Sequence, residues 1–150
     1  MRGESASSTG AGVYGKATAN GGVGVRAQGN GIDASHVNTA LSIENGAIRV
    51  PGAGVNTTTA VFVHENQGEC SPGLKYFTCI DNPLTNGDPK AILIVTPVAN
   101  GPWNARILNY SPICVTYADW AGKWVIENLD GSDMTVGARF NVMVIKTSSP

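Results

Sequence analysis

The residues that could support acid, base or nucleophilic chemistry are few in this sequence. His36 and His64 are the only histidine bases, and nucleophilic catalysis needs a base that a third group orients. No Gly-x-Ser-x-Gly elbow occurs. Cys114 could pair with His64, but it lies in an apolar run where a buried structural thiol is the commoner occupant. We therefore expect no catalytic residue and no enzyme, and a hydrolase that uses His64 is the least favoured interpretation.

The two histidines also bear on ligand and metal binding. His64 ends the run Ala60-Val-Phe-Val-His, so in a strand it shares a face with Phe62. This favours a hydrogen-bonded, half-buried histidine, and a ligand-facing or pH-sensing role is the alternative. His36 is expected to be solvated. Without a Cys-x-x-Cys or His-x-x-x-His spacing, the sequence predicts no zinc site and no cofactor.

Two oxygen-rich turns are the better candidates for a metal. Each brings several carboxylate and amide oxygens into a short loop, as a calcium site requires. The same residue types serve any tight turn, because Asn and Asp cap their own backbone. We expect the turn role, with calcium as the alternative. The residues concerned are Asp81, Asn86 and Asp88 in the first turn and Asp130 and Asp133 in the second.

Tryptophans supply the candidate binding surface. Trp103 follows Asn100-Gly-Pro and Trp120 follows Ala118-Asp, so both fall in loop-like sequence and are expected to be exposed. An exposed indole can stack on the apolar face of a sugar ring, or contact a sister subunit. Trp124 lies within a strand pattern and is expected in the core. Trp103, Trp120 and His64 are therefore the candidate ligand-binding residues.

Three cysteines bear on the compartment. Cys70 and Cys79 flank a loop with Pro72 and Gly73 that could turn the chain back, and this spacing predicts a disulfide between them. A disulfide indicates an oxidising, extracellular setting. The alternative is three buried, reduced thiols, including Cys114, in a cytosolic protein.

Composition excludes several classes of partner. The chain has 150 residues with a net charge of -1, and only 14% of them are charged. Such a chain offers no basic stripe for nucleic acid and no polybasic membrane patch. No apolar run approaches the ~20 residues that span a bilayer. We expect no nucleic-acid partner and no membrane insertion.

A glycine-rich repeat occupies the first third of the chain. Residues 12–21 align without gaps to residues 22–31, with Gly, Val, Ala, Asn and Gly in common positions. A ten-residue period fits a short strand and an Asn-Gly turn, the unit of a β-solenoid or an intertwined β-shaft. So few apolar side chains cannot bury a core alone, which predicts packing against further copies. The expected subunit-interface residues are Val13, Tyr14, Val23 and Val25.

The rest of the chain reads as strands and turns. Asn45-Gly46 predicts a two-residue hairpin within residues 40–50, and residues 51–54 form a hinge. Seven short strands without helical periodicity then predict an antiparallel β-sandwich or flattened barrel. The apolar run at residues 91–96 is expected to be a central strand covered on both faces. The predicted strands are residues 59–64, 74–80, 91–96, 105–110, 113–117, 123–127 and 139–146.

Four segments carry a resemblance to a known group of proteins. They are Asn82-Pro-Leu-Thr-Asn-Gly-Asp-Pro89 before an apolar strand, Ser111-Pro-Ile-Cys-Val-Thr-Tyr117, Lys123-Trp-Val-Ile-Glu-Asn-Leu-Asp130, and Met134-Thr-Val-Gly-Ala-Arg-Phe-Asn-Val142. Over residues 58–146 the pattern resembles an uncharacterised family of bacterial extracellular β domains. The Gly-Val-x-Gly repeats resemble shafts of phage tail fibres and bacterial surface fibres. The resemblance implies a fold and a surface setting, and no activity.

These observations give one architecture and two competing functions. We expect an all-β chain with a flexible lead-in at residues 1–11, a glycine-rich repeat shaft and hairpin at 12–54, and an antiparallel β-sandwich at 55–150. The favoured function is a segment and tip of a homo-oligomeric extracellular fibre or filament on a virion or cell surface, and we expect the oligomer to be a homotrimer or a larger assembly. The alternative is a monomeric carbohydrate-binding module.

Overall fold

The structure is a computed structural model that describes Ile48, residues 50–68 and residues 70–147. The chain divides into two units between Ile48 and Arg49, and the description below concerns the second unit. The predicted lead-in, the glycine-rich repeats and all of the predicted hairpin except Ile48 and Val50 lie outside the described residues.

Six strands build the described domain. No helix occurs within the described residues, and so none there could cross a membrane. The all-β prediction is confirmed. The strands are β1 (Val61–Glu65), β2 (Phe77–Ile80), β3 (Ile92–Val98), β4 (Ile113–Ala118), β5 (Lys123–Asn128) and β6 (Arg139–Ile145).

The strands form two antiparallel sheets of three strands each. The first has the order β1-β6-β3 and the second has the order β2-β5-β4. β6 therefore lies at the centre of the first sheet, where its alternation buries Phe140, Val142 and Val144 on one face. The short loop between β4 and β5 keeps these two strands adjacent in the second sheet.

One hydrophobic core draws side chains from both sheets. Phe62 of β1 and Phe140 of β6 belong to the same cluster as Ile80 of β2 and Ile126 of β5. Phe140, Ile80 and Ile126 have no solvent exposure. Burial of such side chains stabilises by about 1.5–3 kcal/mol each, so this cluster is the main stabilising feature of the domain.

The turn at residues 81–89 is tied to the domain by a buried amide. The Asn82 side chain is fully buried; its Nδ2 donates to the carbonyl of Thr59 at 3.1 Å, and its Oδ1 accepts from the Leu84 N–H at 2.9 Å. Its main-chain carbonyl accepts from the Thr85 N–H at 2.9 Å. Gly87 has a φ of +71°, a conformation that glycine adopts without strain. The asparagine-rich sequence thus serves the fold.

The position of β3 differs from the prediction of a central strand. β3 is at the edge of its sheet, and Ile92 and Ile94 are each 51% exposed on the face opposite the core. Leu93 and Val95 pack against the core. The expectation of cover on both faces was wrong, because an apolar run alone does not distinguish an edge strand from a central one.

The predicted strand at residues 105–110 was also wrong. Within this segment the structure has one isolated bridge, in which Asn100 and Ile107 exchange main-chain hydrogen bonds of 2.8 and 2.6 Å. A turn closed by the Ala105 N–H to the Pro102 carbonyl precedes it. Ile107 does pack against the core, as an apolar strand residue would. Apart from the bridge to Asn100, however, the segment pairs with no described strand.

Candidate functional site

An aromatic groove lies on the second sheet, on the face opposite the shared core. Its volume is about 290 Å³. Phe77, Val125 and Ala118 form a small separate hydrophobic cluster on this face. Three aromatic side chains and two carboxylates line the groove, from Tyr76, Phe77, Trp120, Asp119 and Glu127. Tyr117 also borders the groove, but its ring packs edge-on against Trp124 on the core-facing side of the sheet.

The loop between β4 and β5 positions the indole of Trp120. The Ala121 N–H donates to the Ala118 carbonyl at 3.0 Å, and the Gly122 N–H donates to the Asp119 carbonyl at 3.2 Å. Gly122 has a φ of +61°, which lets the chain turn into β5. This tight loop holds Trp120 beside the groove.

The aromatic rings support one another by edge contacts. Phe77 is 5% exposed, and its ring centroid lies 5.1 Å from that of Tyr76 and 6.0 Å from that of Trp120. The interplanar angles of 72° and 71° are the edge-to-face geometry that aromatic quadrupoles favour. Trp120 remains 64% exposed, so the indole is braced at Phe77 and open to solvent elsewhere.

Polar groups complete the groove. Asp119 is exposed, Glu127 is half-buried, and Thr116 adds a hydroxyl. Carboxylates accept hydrogen bonds and hydroxyls both donate and accept them. An exposed aromatic surface beside such groups suits a ligand with an apolar face and several hydroxyls.

Trp103 is placed elsewhere. It is 82% exposed in the turn after β3, and the guanidinium carbon of Arg106 lies 4.0 Å from its ring centroid. This cation–π contact occupies one face of the indole. Trp103 does not line the aromatic groove, so the structure does not bring the two candidate tryptophans into one site.

His64 lies in a second cavity, which we call the disulfide cleft. The cleft has a volume of about 410 Å³ and is lined by His64, Thr78, Cys70, Cys79, Asp81 and Lys123 among others. His64 is buried on the core-facing side of β1, and its Nε2 lies 2.9 Å from the Thr78 hydroxyl oxygen on β2. Burial lowers the pKa of His64 from 6.5 to about 4, although Glu65 acts in the opposite direction. His64 is therefore neutral at physiological pH.

The charged groups around the disulfide cleft pair with one another. Lys123 Nζ lies 2.8 Å from Asp81 Oδ2, and Arg139 Nε lies 2.6 Å from Glu65 Oε2. Asn56 Oδ1 accepts from the Glu65 N–H at 2.8 Å. Since these side chains already satisfy one another, the cleft offers a weaker case for ligand recognition than the groove.

Cys70 and Cys79 form a disulfide with a Cα–Cα distance of 5.8 Å, as the spacing predicted. Both half-cystines pack against the hydrophobic cluster that contains Phe77. Cys114 is free and half-buried. The disulfide suggests a non-cytoplasmic environment.

The residues considered for calcium make local contacts. Asp81 accepts from Asn86 and Lys123 at 2.8 Å each, Asp88 pairs with Lys146, and Asp130 accepts from the Ser132 hydroxyl at 2.7 Å. Asp133 lines a third cavity together with Met134. Within the described residues no three His, Cys, Asp or Glu side chains converge as a metal site. Calcium binding remains a prediction.

The predicted subunit-interface residues Val13, Tyr14, Val23 and Val25 lie outside the described residues. Sequence reasoning did not identify Tyr76, Phe77, Asp119 or Glu127 as groove residues. The sequence feature that could have indicated the groove is the pair Asp119-Trp120, because an indole in a loop beside a carboxylate is suited to binding a polar ligand. The contribution of Phe77 depends on the pairing of β2 with β5, which no local pattern reveals.

Comparison with known proteins gives a family without a described activity. No curated protein and no solved structure matches the chain. Residues 53–144 match the family model described as Domain of unknown function (DUF7452). The match includes the whole of both sheets except the last residue of β6. It covers more than half of the chain, which therefore belongs to the DUF7452 family.

Proposed function

We propose that this protein is a structural and binding segment of a homo-oligomeric extracellular fibre or appendage, and that its described domain binds a carbohydrate in the aromatic groove. The fibre would resemble a phage tail fibre or a bacterial surface filament. The protein would act by assembly and recognition, without catalysis.

The observation that carries the binding role is the geometry of Trp120. Its indole is 64% exposed while Phe77 braces it by an edge contact, so a flat apolar surface is held in place before any ligand arrives. Preorganisation lowers the entropic cost of binding. Covering the exposed indole with the apolar face of a sugar would stabilise the complex by about 25 cal/mol per Å² of apolar surface removed from water.

The groove's polar groups favour a sugar over a purely apolar ligand. Asp119 and Glu127 can accept hydrogen bonds from ring hydroxyls, and Thr116 can do so or donate. At about 290 Å³ the groove fits a short stretch of glycan. The glycan would belong to a cell surface.

The architecture proposed for this domain is a β-sandwich. Two three-stranded sheets that contribute to one core support it, and the inter-sheet contact of His64 with Thr78 agrees with it.

The fibre setting is supported by sequence and by the disulfide. The repeats at residues 12–31 have too few apolar side chains to bury a core alone. Val13, Tyr14, Val23 and Val25 would pack between chains, in a homotrimer or a larger assembly. The disulfide Cys70–Cys79 fits an extracellular or virion-surface location.

A glycan array with the full chain tests the binding role. We expect binding to a subset of glycans, and we expect Trp120→Ala to weaken it at least about tenfold, equivalent to about 1.4 kcal/mol. Trp103→Ala is the matched control, because that indole is exposed but lies outside the groove. Binding that survives Trp120→Ala, or no binding to any glycan, would reject the groove as a carbohydrate site.

The native mass tests the fibre separately. Sedimentation velocity of the full chain at micromolar concentration should give an oligomer, and Val23→Lys should lower its mass by releasing the contacts between the repeats. A monomer that still binds glycans in a Trp120-dependent manner would leave the carbohydrate-binding module as the function and remove the fibre.

A further inference from the structure

The free edge of β3 is unusual in carrying no protective charge. β3 reads Ile-Leu-Ile-Val-Thr-Pro-Val, and β6 is its only partner among the described strands. Edge strands usually carry Lys, proline or a covering segment, which prevents pairing with other chains. Within β3 only Pro97, near its end, has this effect.

The opposite edge of the same sheet is covered. The Val63 N–H donates to the Gly54 carbonyl at 2.9 Å, and the Asn56 N–H donates to the Val63 carbonyl at 2.7 Å. Residues 54–56 thereby occupy the outer side of β1. The contrast shows that the fold protects one edge of this sheet and leaves β3 open within the described residues.

The main-chain hydrogen bonds of β6 show which N–H and C=O groups of β3 point away from the sheet. The Val144 N–H donates to the Ala60 carbonyl at 2.8 Å, on the β1 side of β6. The main-chain groups of its neighbour Ile145 therefore point to β3, where Ile145 pairs with Ile92. Even-numbered residues of β3 consequently bond to β6.

Odd-numbered residues of β3 present their main-chain groups to the free edge. Leu93 and Val95 direct both N–H and C=O away from β6. Pro97 belongs to this outward set, so its missing N–H removes no bond to β6. The open edge thus offers the N–H and C=O groups of Leu93 and Val95, and it ends at Pro97, which has no N–H to donate.

The side chains beside this edge form an apolar row. Val61, Met143 and Ile94 are aligned across the three strands on the face opposite the core. Ile92 and Ile145 form the next row, and they are 51% and 41% exposed. The row of Ile94 reaches the free edge, where a strand of matching pattern would extend it.

We propose that β3 pairs antiparallel with β3 of a second copy of this chain, about a two-fold axis at Ile94. The two three-stranded sheets then become one continuous sheet. The row of Val61, Met143 and Ile94 then continues across the contact, because Ile94 lies opposite Ile94 of the partner subunit and meets the same row of the second copy. This contact lies on the described domain and does not involve the repeats.

The second copy is favoured because the edge complements itself at this register. Leu93 of one copy and Val95 of the partner subunit exchange two main-chain hydrogen bonds. By symmetry, Val95 of the first copy and Leu93 of the partner subunit exchange two more. An axis at Ile92 would place Leu93 opposite Ala91, whose N–H already donates to Asp88, and Val95 opposite Pro89, which has no N–H. An axis at Leu93 would place Val95 opposite Ala91, and an axis at Val95 would place Leu93 opposite Pro97, so each would leave a pair with only one bond. The register at Ile94 is therefore the one in which both pairs exchange two bonds.

Cysteine cross-linking tests the pairing and its register, in a Cys114→Ser background of the full chain. At a non-hydrogen-bonded antiparallel pair the Cα atoms lie about 4.5 Å apart, within disulfide range. Ile94→Cys should form a covalent dimer under mild oxidation. Ile92→Cys should not, because its symmetry mate is about 13 Å away along the strand. Leu129→Cys, on an exposed loop, gives the rate of random collision.

Native mass spectrometry provides the second measurement. Wild type should contain an even number of chains, and Ile94→Lys should halve the mass. The variant should still unfold cooperatively in urea, at a lower midpoint because the stabilisation by subunit association is lost. Leu129→Lys should leave the mass unchanged. The proposal is overturned by an odd number of chains, by a mass insensitive to Ile94→Lys, or by Ile94→Cys cross-linking no faster than Leu129→Cys. The two contacts are tested separately, because Ile94→Lys changes only the β3 edge and Val23→Lys changes only the repeats.

Discussion

The imidazole Nε2 of His64 lies 2.9 Å from the hydroxyl oxygen of Thr78, and this contact joins β1 of one sheet to β2 of the other. Both residues are buried, at 6% and 3% exposure. A buried polar pair is costly to break because each partner loses its hydrogen bond without regaining water. The contact therefore helps to fix how the two sheets meet.

Stability should fall in mild acid because of His64. Its folded pKa of about 4 lies below the ordinary 6.5, so between these values the unfolded state binds a proton that the folded state does not. Stability is thus full above pH 6.5 and decreases as the pH falls to about 4, by up to about 3 kcal/mol. Urea unfolding at pH 7 and pH 4.5 measures this loss.

His64→Gln is the control, because glutamine keeps a polar partner for Thr78 and does not titrate. We expect the variant to be less stable at pH 7 and to lose less stability between pH 7 and pH 4.5. The carboxyl pKa values of Asp81 and Asp88 are lowered from 3.8 by hydrogen bonds from Lys123 and Lys146, so their contributions fade only below this window. Equal pH dependence in wild type and variant would show that His64 is not the titrating group.

Removal of the disulfide should destabilise the domain. Cys70 and Cys79 are separated by 9 residues, and closure of such a loop stabilises by roughly 3 kcal/mol through the unfolded state. The double variant Cys70→Ser/Cys79→Ser should show this loss in urea unfolding. Cys114→Ser is the control and should remain within about 1 kcal/mol of wild type, because its thiol is unpaired and half-buried. An unchanged unfolding midpoint in the double variant would contradict the assignment.

Asn82→Asp should destabilise the turn at residues 81–89 although it preserves shape. The side-chain Nδ2 donates to the Thr59 carbonyl, and a carboxylate at this position has no proton to donate. A fully buried, unpaired charge facing a carbonyl should cost about 3–5 kcal/mol at pH 7. Asn86→Asp, on the exposed part of the turn, is the comparison and should cost less. Equal losses in the two variants would argue against the special role of Asn82.

Glu127→Gln should weaken glycan binding without affecting folding. Glu127 contributes a half-buried carboxylate to the groove, and hydrogen bonds to a charged acceptor are stronger than those to a neutral amide. We expect a loss of about threefold to tenfold in affinity, measured by isothermal titration calorimetry. Asp133→Asn removes an exposed carboxylate outside the groove and should have no effect. A loss of equal size in Asp133→Asn would indicate a general electrostatic effect.

Several features were predictable because local sequence determines them. The loop between Cys70 and Cys79 is short and contains Pro72 and Gly73, so disulfide formation follows from the spacing. Strict alternation placed His64 on the same face as Phe62, and both are buried there. The strand at Arg139–Ile145 follows from its run of large apolar residues.

Other features depend on long-range pairing and could not be read locally. The runs that became β3 and β6 are similarly apolar, yet β6 is central and β3 is at the edge. The groove combines Phe77 of β2 with Trp120 of the loop after β4, and they meet because β5 pairs with both strands. The fibre setting and its interface depend on residues 12–31, which lie outside the described residues and remain predictions.

The most direct measurement is a heteronuclear NMR titration of the full chain with a glycan that binds on the array. The chain has 3 tryptophans, and each indole N–H gives a separate signal. We predict that the Trp120 signal shifts with saturation while those of Trp103 and Trp124 do not. A bound glycan that leaves Trp120 unchanged, or that shifts Trp103 instead, would contradict the aromatic groove as the binding site.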